Sequence, residues 1–254
     1  MRATEEILGV WKRFDDVPME TLTKAWLHAR GEQFELRSVE RMREQREEFG
    51  TSGNCFDLAY WLMDELRADG IECYPVGSGF GSASAHAAVI AVGSDGKRYL
   101  CDLGDQWVQP VLVDLDGEDY TEDLLKGFVA GMGISVKSDG RQAQIRFRRA
   151  GGREHRKTFN LRPADEAEFA EAAAYSQRLL RFALAERRFR LDGHTVCWEY
   201  DRGRSHVNTD CGLYYESAPL GDETWSQRIS RRTGLAEAVV RTALDVYGEL
   251  DGGR

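Results

Sequence analysis

Three residues in the first half of the chain have the types and the order that nucleophilic acyl transfer requires. They are a cysteine at position 55, a histidine at 86 and an aspartate at 102. A thiol becomes an effective nucleophile when a base takes its proton, and the base needs a third group that holds it in the correct tautomer. The sequence therefore predicts a triad in which Cys55 attacks, His86 takes the proton and Asp102 orients His86.

A predicted helix start gives the thiol of Cys55 a reason to be reactive. Asn54 is a preferred N-cap residue, and Asp57 falls at the third helical position, where it can complete a capping box. Cys55 is then the first helical residue, so the positive end of the helix dipole favours its thiolate. Backbone N–H groups at this end can also stabilise an oxyanion. The alternative is that Cys55 is a small buried core residue, which is the commonest role of cysteine.

The register of one predicted hairpin decides whether Asp102 can reach His86. Residues 86–92 and 97–102 form strand-like runs on either side of a Gly-Ser-Asp-Gly turn. A three-residue loop over 93–95 places His86 directly opposite Asp102, with Cβ atoms about 4.5–5.5 Å apart. A two-residue loop pairs His86 with Leu103 and turns Asp102 to the other face. Taken singly, His86 is also readable as a strand-end residue and Asp102 as a turn cap.

The elements around these residues predict helices first, then strands, then a helix-containing end. Helical patterns cover residues 21–29, 36–48 and 55–69, and the last of them carries an apolar stripe that predicts a buried face. Short strands are predicted over 72–76, 86–92, 97–103 and 108–115, and hairpins around Gly151-Gly152 and Asp192-Gly193. Further helices are predicted over 165–184 and over 224–250, the latter broken near Gly234.

Composition excludes several classes of function. The 254 residues carry 34 Lys and Arg against 43 Asp and Glu, a net charge of −9, which disfavours general affinity for nucleic acid or anionic membranes. No apolar run is long enough for a membrane span and the N-terminus lacks a signal-peptide pattern, so a cytoplasmic location is predicted. The five cysteines are widely spaced, and the other histidines lack partners at metal-ligand spacing. Neither a disulfide framework nor a metal site is predicted.

Residues 53–112 resemble the arylamine N-acetyltransferase family, a branch of the papain/transglutaminase-like thiol enzymes. The family motif Arg-Gly-Gly-x-Cys-Phe-Glu is matched by Ser52-Gly53-Asn54-Cys55-Phe56-Asp57, and Asp-Val-Gly-Phe-Gly by Asp102-Leu103-Gly104-Asp105-Gln106, with Pro110 following. Upstream, Val17-Pro18-Met19-Glu20-Thr21-Leu22 is similar to the family's Val-Pro-Phe-Glu-Asn-Leu, and the family's histidine also precedes an apolar strand. The chain departs from the family at the motif arginine, replaced by Thr51 or Ser52, and at Asp105-Gln106. Both departures fall near the family's acyl pocket.

The resemblance implies an α+β fold of the cysteine-proteinase type. Its parts would be an N-terminal helical bundle over residues 1–72, a central antiparallel β-barrel over 73–200 and a C-terminal α/β lid over 201–254. The implied reaction is ping-pong transfer of an acetyl group, from acetyl-CoA or a related acyl-CoA, to an aromatic amine or hydrazine through Cys55. The implied partners are therefore a small-molecule acyl donor and an amine acceptor, with no tightly bound cofactor. The charge and the absence of long apolar runs, noted above, predict no membrane partner and argue against nucleic acid.

Three more residues are candidates for substrate contact. Phe80 lies in a glycine-rich segment before His86 and is either a pocket wall or an ordinary loop residue. Trp107 follows the aspartate motif and either lines the cleft or belongs to the core. Gly104 lies inside that motif. The basic segment 141–162 either attracts the phosphates of a coenzyme-A-like donor or forms a solvated hairpin face.

Two other interpretations remain open at this point. A transglutaminase- or papain-like amidase, or an amide synthase, would use the same three residues. The other is a non-catalytic binding module with a tail, residues 229–241, that resembles a helix-turn-helix. The acidic balance of the chain argues against DNA binding by that tail.

Overall fold

The computed structural model describes residues 1–32, 34–149 and 151–248, and its N-terminal part is helical as predicted. A 3-10 turn over Lys12–Phe14 and a short strand, β1 (Met19–Glu20), interrupt the helices. The helices are α1 (Glu5–Trp11), α2 (Leu22–Ala29), α3 (Val39–Phe49) and α4 (Cys55–Ala68). The three helices predicted from the sequence correspond to α2, α3 and α4.

An antiparallel, barrel-like sheet forms the middle of the molecule. Among the described residues it contains eight strands in the order β5-β4-β3-β2-β9-β8-β7-β6. The strands are β2 (Cys73–Ser78), β3 (His86–Val92), β4 (Arg98–Cys101), β5 (Val111–Leu112), β6 (Leu125–Val129), β7 (Met132–Ser138), β8 (Gln142–Arg149) and β9 (Glu154–Asn160). The sheet nearly closes, because the N–H of Val108, just before β5, donates to the carbonyl of Phe128 in β6 at 2.8 Å. The predicted α+β fold with a helical N-terminus and a central barrel is confirmed.

A second sheet follows the barrel, and it extends across the predicted domain boundary between residues 200 and 201. It joins β1 to the later strands in the order β1-β10-β11-β12-β13. These strands are β10 (Leu184–Leu191), β11 (His194–Asp201), β12 (Arg204–Thr209) and β13 (Gly212–Tyr215). Asp201 pairs with Arg204 across a tight turn, so the predicted boundary would cut a hydrogen-bonded hairpin.

The remaining described helices follow β9 and β13 in the chain. Helix α5 (Glu166–Arg178) links the barrel to the second sheet, and α6 (Trp225–Thr233) and α7 (Glu237–Tyr247) end the described chain. Gly234 ends α6 with φ +83°, the left-handed conformation that glycine adopts at low cost. The predicted break near Gly234 is therefore confirmed, and Leu250 lies outside the described residues. None of these helices, within the described part of the chain, has the length and apolar character that a bilayer crossing needs.

Helix α4 packs its apolar stripe on strands β2 and β3 and so fixes the position of Cys55. The predicted stripe residues are all buried, as the sequence indicated: Leu58, Ala59, Leu62, Met63 and Leu66. Burying a leucine or methionine side chain stabilises the fold by about 1.5–3 kcal/mol. The first turn of α4 is therefore held against the strand that begins with His86.

The β3–β4 hairpin keeps the predicted loop length but shifts it along the chain by one residue. Val92 pairs with Arg98 and Val89 with Cys101, and the N–H of Gly93 donates to the carbonyl of Lys97 at 2.9 Å. The loop is therefore 94–96 and not 93–95. Gly96 then occupies the left-handed position at φ +73°, where the predicted register would have placed Asp95.

The predicted pairing of His86 with Asp102 was therefore wrong by two residues. The ladder ends at Cys101, and the side chain of Asp102 reaches His86 diagonally. A shift of two keeps both residues on one face of the sheet, because side chains alternate with a period of two. The contact that the sequence predicted consequently survives the change of register.

Candidate active site

The first turn of α4 has the cap that the sequence predicted. The side-chain oxygen of Asn54 accepts hydrogen bonds from the N–H groups of Phe56 at 2.9 Å and Asp57 at 3.4 Å. The Asp57 carboxylate in turn accepts from the N–H of Asn54 at 3.0 Å, which completes the capping box. Half-buried Cys55 is the first helical residue. Its own N–H is the donor in the first turn that this cap leaves for an oxyanion.

His86 is held by a fully buried carboxylate. Its Nε2 lies 2.9 Å and 2.8 Å from the two side-chain oxygens of Asp102. Asp102 is 0% exposed and the imidazole 12% exposed. A carboxylate accepts, so Nε2 carries the proton and Nδ1 is left to take a proton from Cys55.

The charge balance around His86 favours its protonated form. Burial alone would lower the pKa of His86, and the positive charge of Lys157 acts in the same direction. The carboxylates of Asp102 and Asp105 outweigh both effects and raise the pKa of His86 well above its ordinary value. An imidazolium beside Cys55 stabilises the thiolate electrostatically. The site therefore favours an imidazolium at His86 beside the sulfur of Cys55.

Gly104 is the point at which the three residues of the predicted triad meet. A methyl group added there would lie 2.5 Å from Cβ of Cys55, 2.7 Å from Cε1 of His86 and 3.3 Å from Oδ1 of Asp102. These separations leave room for a hydrogen atom and nothing larger. The structure therefore brings Cys55, His86 and Asp102 together around Gly104.

The loop after β4 holds Asp102 through an unusual residue. Gln106 has φ +49°, a conformation that glycine tolerates and other residues adopt at a cost of about 1–2 kcal/mol. Its buried amide donates to the carbonyls of Val17 at 3.2 Å and Leu103 at 3.1 Å, and accepts from the N–H of Arg188 at 3.1 Å. Three hydrogen bonds of about 1 kcal/mol each offset the strain.

Two buried charged residues hold the segment that precedes Cys55. The carboxylate of Glu20 accepts from the N–H groups of Ser52 at 3.2 Å and Gly53 at 2.7 Å. The guanidinium of Arg37 donates to the carbonyl of Ser52 at 2.7 Å and lies 3.3 Å from Asp57. Sequence reasoning placed Glu20 in a motif without a role and missed Arg37. Its partners are distant in the chain, and no short-range pattern identifies such a contact.

A cleft of about 240 Å³ opens beside the triad and is lined by Cys55, His86 and Gly104. Its apolar wall includes Phe182 and Leu184. Its polar wall includes Lys24, Asp105 and Glu186. The sequence marked Asp105 as a departure from the family motif near the acyl pocket, and it did not single out Lys24 or Glu186. The ammonium of Lys24 donates to the carbonyls of Ser176 and Leu179, both at 2.9 Å, and so ties the end of α5 to α2 at the edge of the cleft.

Phe80 and Trp107 are not among the residues that line the cleft. The ring of Phe80 packs 5.7 Å from Phe56 and 6.4 Å from Phe169. Trp107 is fully buried, with its ring edge-to-face with Phe147 at 6.0 Å. Gly104 borders the cleft directly. Contact between a substrate and Phe80 or Trp107 stays a prediction.

The same corner of the site has a donor set that a cation could use. In the described part of the chain, His86, Asp102 and Asp105 bring one ligand-type atom each to within 4.8 Å of one another. The contacts of His86 with Asp102, however, are at hydrogen-bond length, and the ammonium of Lys157 lies 2.5 Å from the outer oxygen of Asp105. We therefore interpret the cluster as a hydrogen-bonded triad with an attached ion pair.

A second cavity and the C-terminal helices lie outside this cleft. A larger cavity of about 640 Å³ lies between α1 and the β10–β11 hairpin and does not contain the triad. Helix α7 buries Val240 and Leu244 in a cluster with Trp26 of α2. The three arginines of α6 pair with two glutamates, Arg228 and Arg231 with Glu223 and Arg232 with Glu216. The tail is thus built for packing, as two paired terminal helices.

Comparison with solved structures identifies the fold. The chain superposes on an arylamine N-acetyltransferase from Mycobacterium smegmatis with a TM-score of 0.69, 14% identity and coverage of 97% of this chain and 93% of that one. The Mycobacterium marinum enzyme in complex with CoA gives 0.68, 11% identity and coverage of 92% and 88%. A Bacillus cereus arylamine N-acetyltransferase described as having a Cys-His-Glu triad gives 0.63, 14% identity and coverage of 91% and 90%. No family model and no curated protein matches the sequence. At these identities the likeness establishes the fold.

Proposed function

We propose that the protein is a thiol-dependent acyltransferase that moves an acyl group from a CoA thioester to an amine. The observation that carries this proposal is the convergence of Cys55, His86 and Asp102 on Gly104, at the start of a capped helix. The shared fold supports it, since the solved structures on which the chain superposes include arylamine N-acetyltransferases.

In the first half-reaction, the thiolate of Cys55 attacks the carbonyl carbon of the thioester. The N–H of Cys55 donates to the oxyanion that develops on the carbonyl oxygen. The carbon–sulfur bond of the donor then breaks, and the imidazolium of His86 gives its proton to the departing CoA sulfur. The products are an acylated Cys55, a neutral His86 and free CoA.

In the second half-reaction, the amine nitrogen attacks the acyl carbon on Cys55. Neutral His86 takes the proton that the nitrogen loses, and the bond between the acyl carbon and the sulfur breaks. The amide leaves, and the thiolate–imidazolium pair is restored. Asp102 keeps Nε2 protonated throughout, so that Nδ1 serves as base and acid in turn.

The cleft suits such a donor and acceptor. Phe182 and Leu184 give an apolar wall for an aromatic amine or hydrazine. Arg181 lines the same cleft and is exposed, and we propose that its guanidinium binds the diphosphate of the donor. The Mycobacterium marinum structure holds CoA in the same fold, which supports acyl-CoA as co-substrate. We propose no tightly bound cofactor.

An amidase or amide synthase is the second candidate, and one departure from the family motif favours it. Asp105 lies in the cleft where the family has phenylalanine. A carboxylate in place of an aromatic ring makes that part of the cleft more polar and suits a polar acyl group or a water nucleophile better. The same triad would perform either reaction.

Initial-rate kinetics with acetyl-CoA and an aromatic amine test the proposal. We expect CoA release that depends on the amine, and parallel lines in double-reciprocal plots, because acetylated Cys55 separates the two half-reactions. We also expect Cys55→Ala to abolish release. CoA release that ignores the amine would instead support hydrolysis, and no release from the unmodified protein would contradict acetyl-CoA as donor.

A further inference from the structure

His86 faces a second carboxylate besides the one that holds it. Oδ1 of Asp105 lies 3.7 Å from Nε2 of His86, the nitrogen that donates to Asp102. The backbone N–H of Asp105 donates to Oδ1 of Asp102 at 3.0 Å, so the two carboxylates belong to one hydrogen-bonded loop. The imidazolium of His86 is thus flanked by two acidic side chains on one side.

A lysine from the barrel balances the second carboxylate. Lys157 comes from the inner face of β9, and its ammonium lies 2.5 Å from Oδ2 of Asp105. The two side chains are only 22% and 27% exposed, so solvent screens their charges poorly. Asp105 therefore contacts His86 with one oxygen and Lys157 with the other.

We propose that Asp105 and Lys157 are positioning residues that set the protonation of His86, Asp105 favouring the imidazolium and Lys157 limiting that effect. Both residues act on the triad of the proposed function, so this role rests on that function. Asp105 is one of the two residues at which the chain departs from the family's aspartate motif. The pair acts through His86 and not on the substrate.

The ionisation of the pair agrees with this role. Burial would raise the pKa of Asp105, but His86 and Lys157 lower it to about 2, so Asp105 is anionic at neutral pH. Burial would lower the pKa of Lys157, but Asp105 and Asp102 raise it, so Lys157 is cationic. Opposite charges within about 4–6 Å typically shift a pKa by 1–3 units.

Other charged or titratable groups near His86 do not replace Asp105. Burial and Glu199 raise the pKa of Glu186 well above its ordinary value, which favours its neutral form. Burial and Lys157 lower the pKa of His155, which leaves it neutral. The groups that surround His86 are Cys55 from α4, Lys24 from α2, Asp102 and Asp105 from the loop after β4, His155 and Lys157 from β9, and Glu186 from β10.

An NMR titration of His86 in the full-length protein tests the proposal without any acyl donor. Cys55→Ala serves as the background, because it removes the coupled titration of the thiol. In that background we expect Asp105→Asn to lower the pKa of His86 by about 1 unit, and Lys157→Met to raise it. Each unit is a tenfold change in the ratio of imidazolium to imidazole at a given pH.

Opposite directions of the two shifts are the decisive result. If the pair merely held the loop in place, both substitutions would loosen Asp102 and both would lower the pKa of His86. Shifts in the same direction, or no shift, would therefore overturn the proposal. Asp116→Asn and Lys97→Met are matched controls, since these residues form an ion pair of 2.9 Å with Asp116 well exposed, and we expect no change in His86.

Failure of this proposal and failure of the proposed function are distinguishable. The titration reports on His86 whether or not acetyl-CoA is the donor. In the protein that retains Cys55, we also expect Asp105→Asn to slow alkylation by iodoacetamide near pH 7, because a lower pKa of His86 leaves less imidazolium to stabilise the thiolate. Unchanged alkylation with a shifted pKa would show that the pair does not act on the nucleophile and would overturn that part of the inference.

Discussion

Asparagine in place of Asp102 is expected to slow acylation of Cys55 by about 10³–10⁴-fold while the protein remains folded. The carboxylate accepts from Nε2 of His86 and from the N–H of Asp105. An amide has one acceptor oxygen, and its NH₂ group cannot accept from either partner. His86 would then lose both the charge that favours its protonation and the contact that fixes its tautomer.

Single-turnover acylation followed by mass spectrometry measures this effect. Asp114→Asn is the matched control, because Asp114 also pairs with a cation, Arg98 at 2.6 Å, but on the barrel away from the cleft. We expect Asp114→Asn to change stability and leave the acylation rate within a factor of a few. An Asp102→Asn protein that acylates as fast as the unsubstituted one would mean that His86 acts without Asp102.

Alanine in place of Gly104 is expected to slow acylation by about 100-fold or more. The added methyl group would lie 2.5 Å from Cys55 and 2.7 Å from His86, closer than carbon atoms approach without displacement. One of the two side chains must move, and a displacement of about 1 Å at a reacting group costs about 100-fold in rate. The effect is steric. It changes the positions of Cys55 and His86 relative to each other and leaves both functional groups in place.

Two measurements separate a loss of Cys55 reactivity from a loss of fold stability. Alkylation of Cys55 by iodoacetamide reports the first, and thermal unfolding reports the second. Gly9→Ala is the matched control: nothing lies within 4 Å of its added methyl group, and helix α1 should gain about 0.5–1 kcal/mol. We expect normal alkylation of Gly9→Ala. Normal acylation of Gly104→Ala would show that Cys55 and His86 need not approach each other at this point.

The sequence predicted the parts of the site that depend on local signals. Asn54 and Asp57 form a helix cap within a segment of four residues. Such a cap does not depend on where the helix packs in the fold, so the local sequence is enough to predict it. The β3–β4 turn was predicted only in part. The loop length of three residues was correct, but the loop lies one residue further along the chain than predicted. The preference of Gly96 for the left-handed conformation decided the position. His86 and Asp102 still lie on one face of the sheet, because the predicted pairing was wrong by an even number of residues.

The supporting charges could not be predicted in the same way. Arg37 lies in a loop and Lys157 on β9, and the residues that they contact at the site are distant in the sequence. Glu186 lies on β10 of the second sheet. A charged residue in an exposed-looking pattern gives no signal that the fold will bury it beside an opposite charge. Asp105 was visible as a departure from the family motif, but its partner became clear only once β9 was placed beside the loop.

Intact-mass analysis after brief incubation with acetyl-CoA and no amine shows whether Cys55 carries the acyl group. We expect a single acetyl adduct that maps to Cys55, is absent from Cys55→Ala, and disappears when an aromatic amine is added. An unmodified Cys55 after incubation, or an adduct that persists in Cys55→Ala, would contradict the claim that this thiol carries the acyl group.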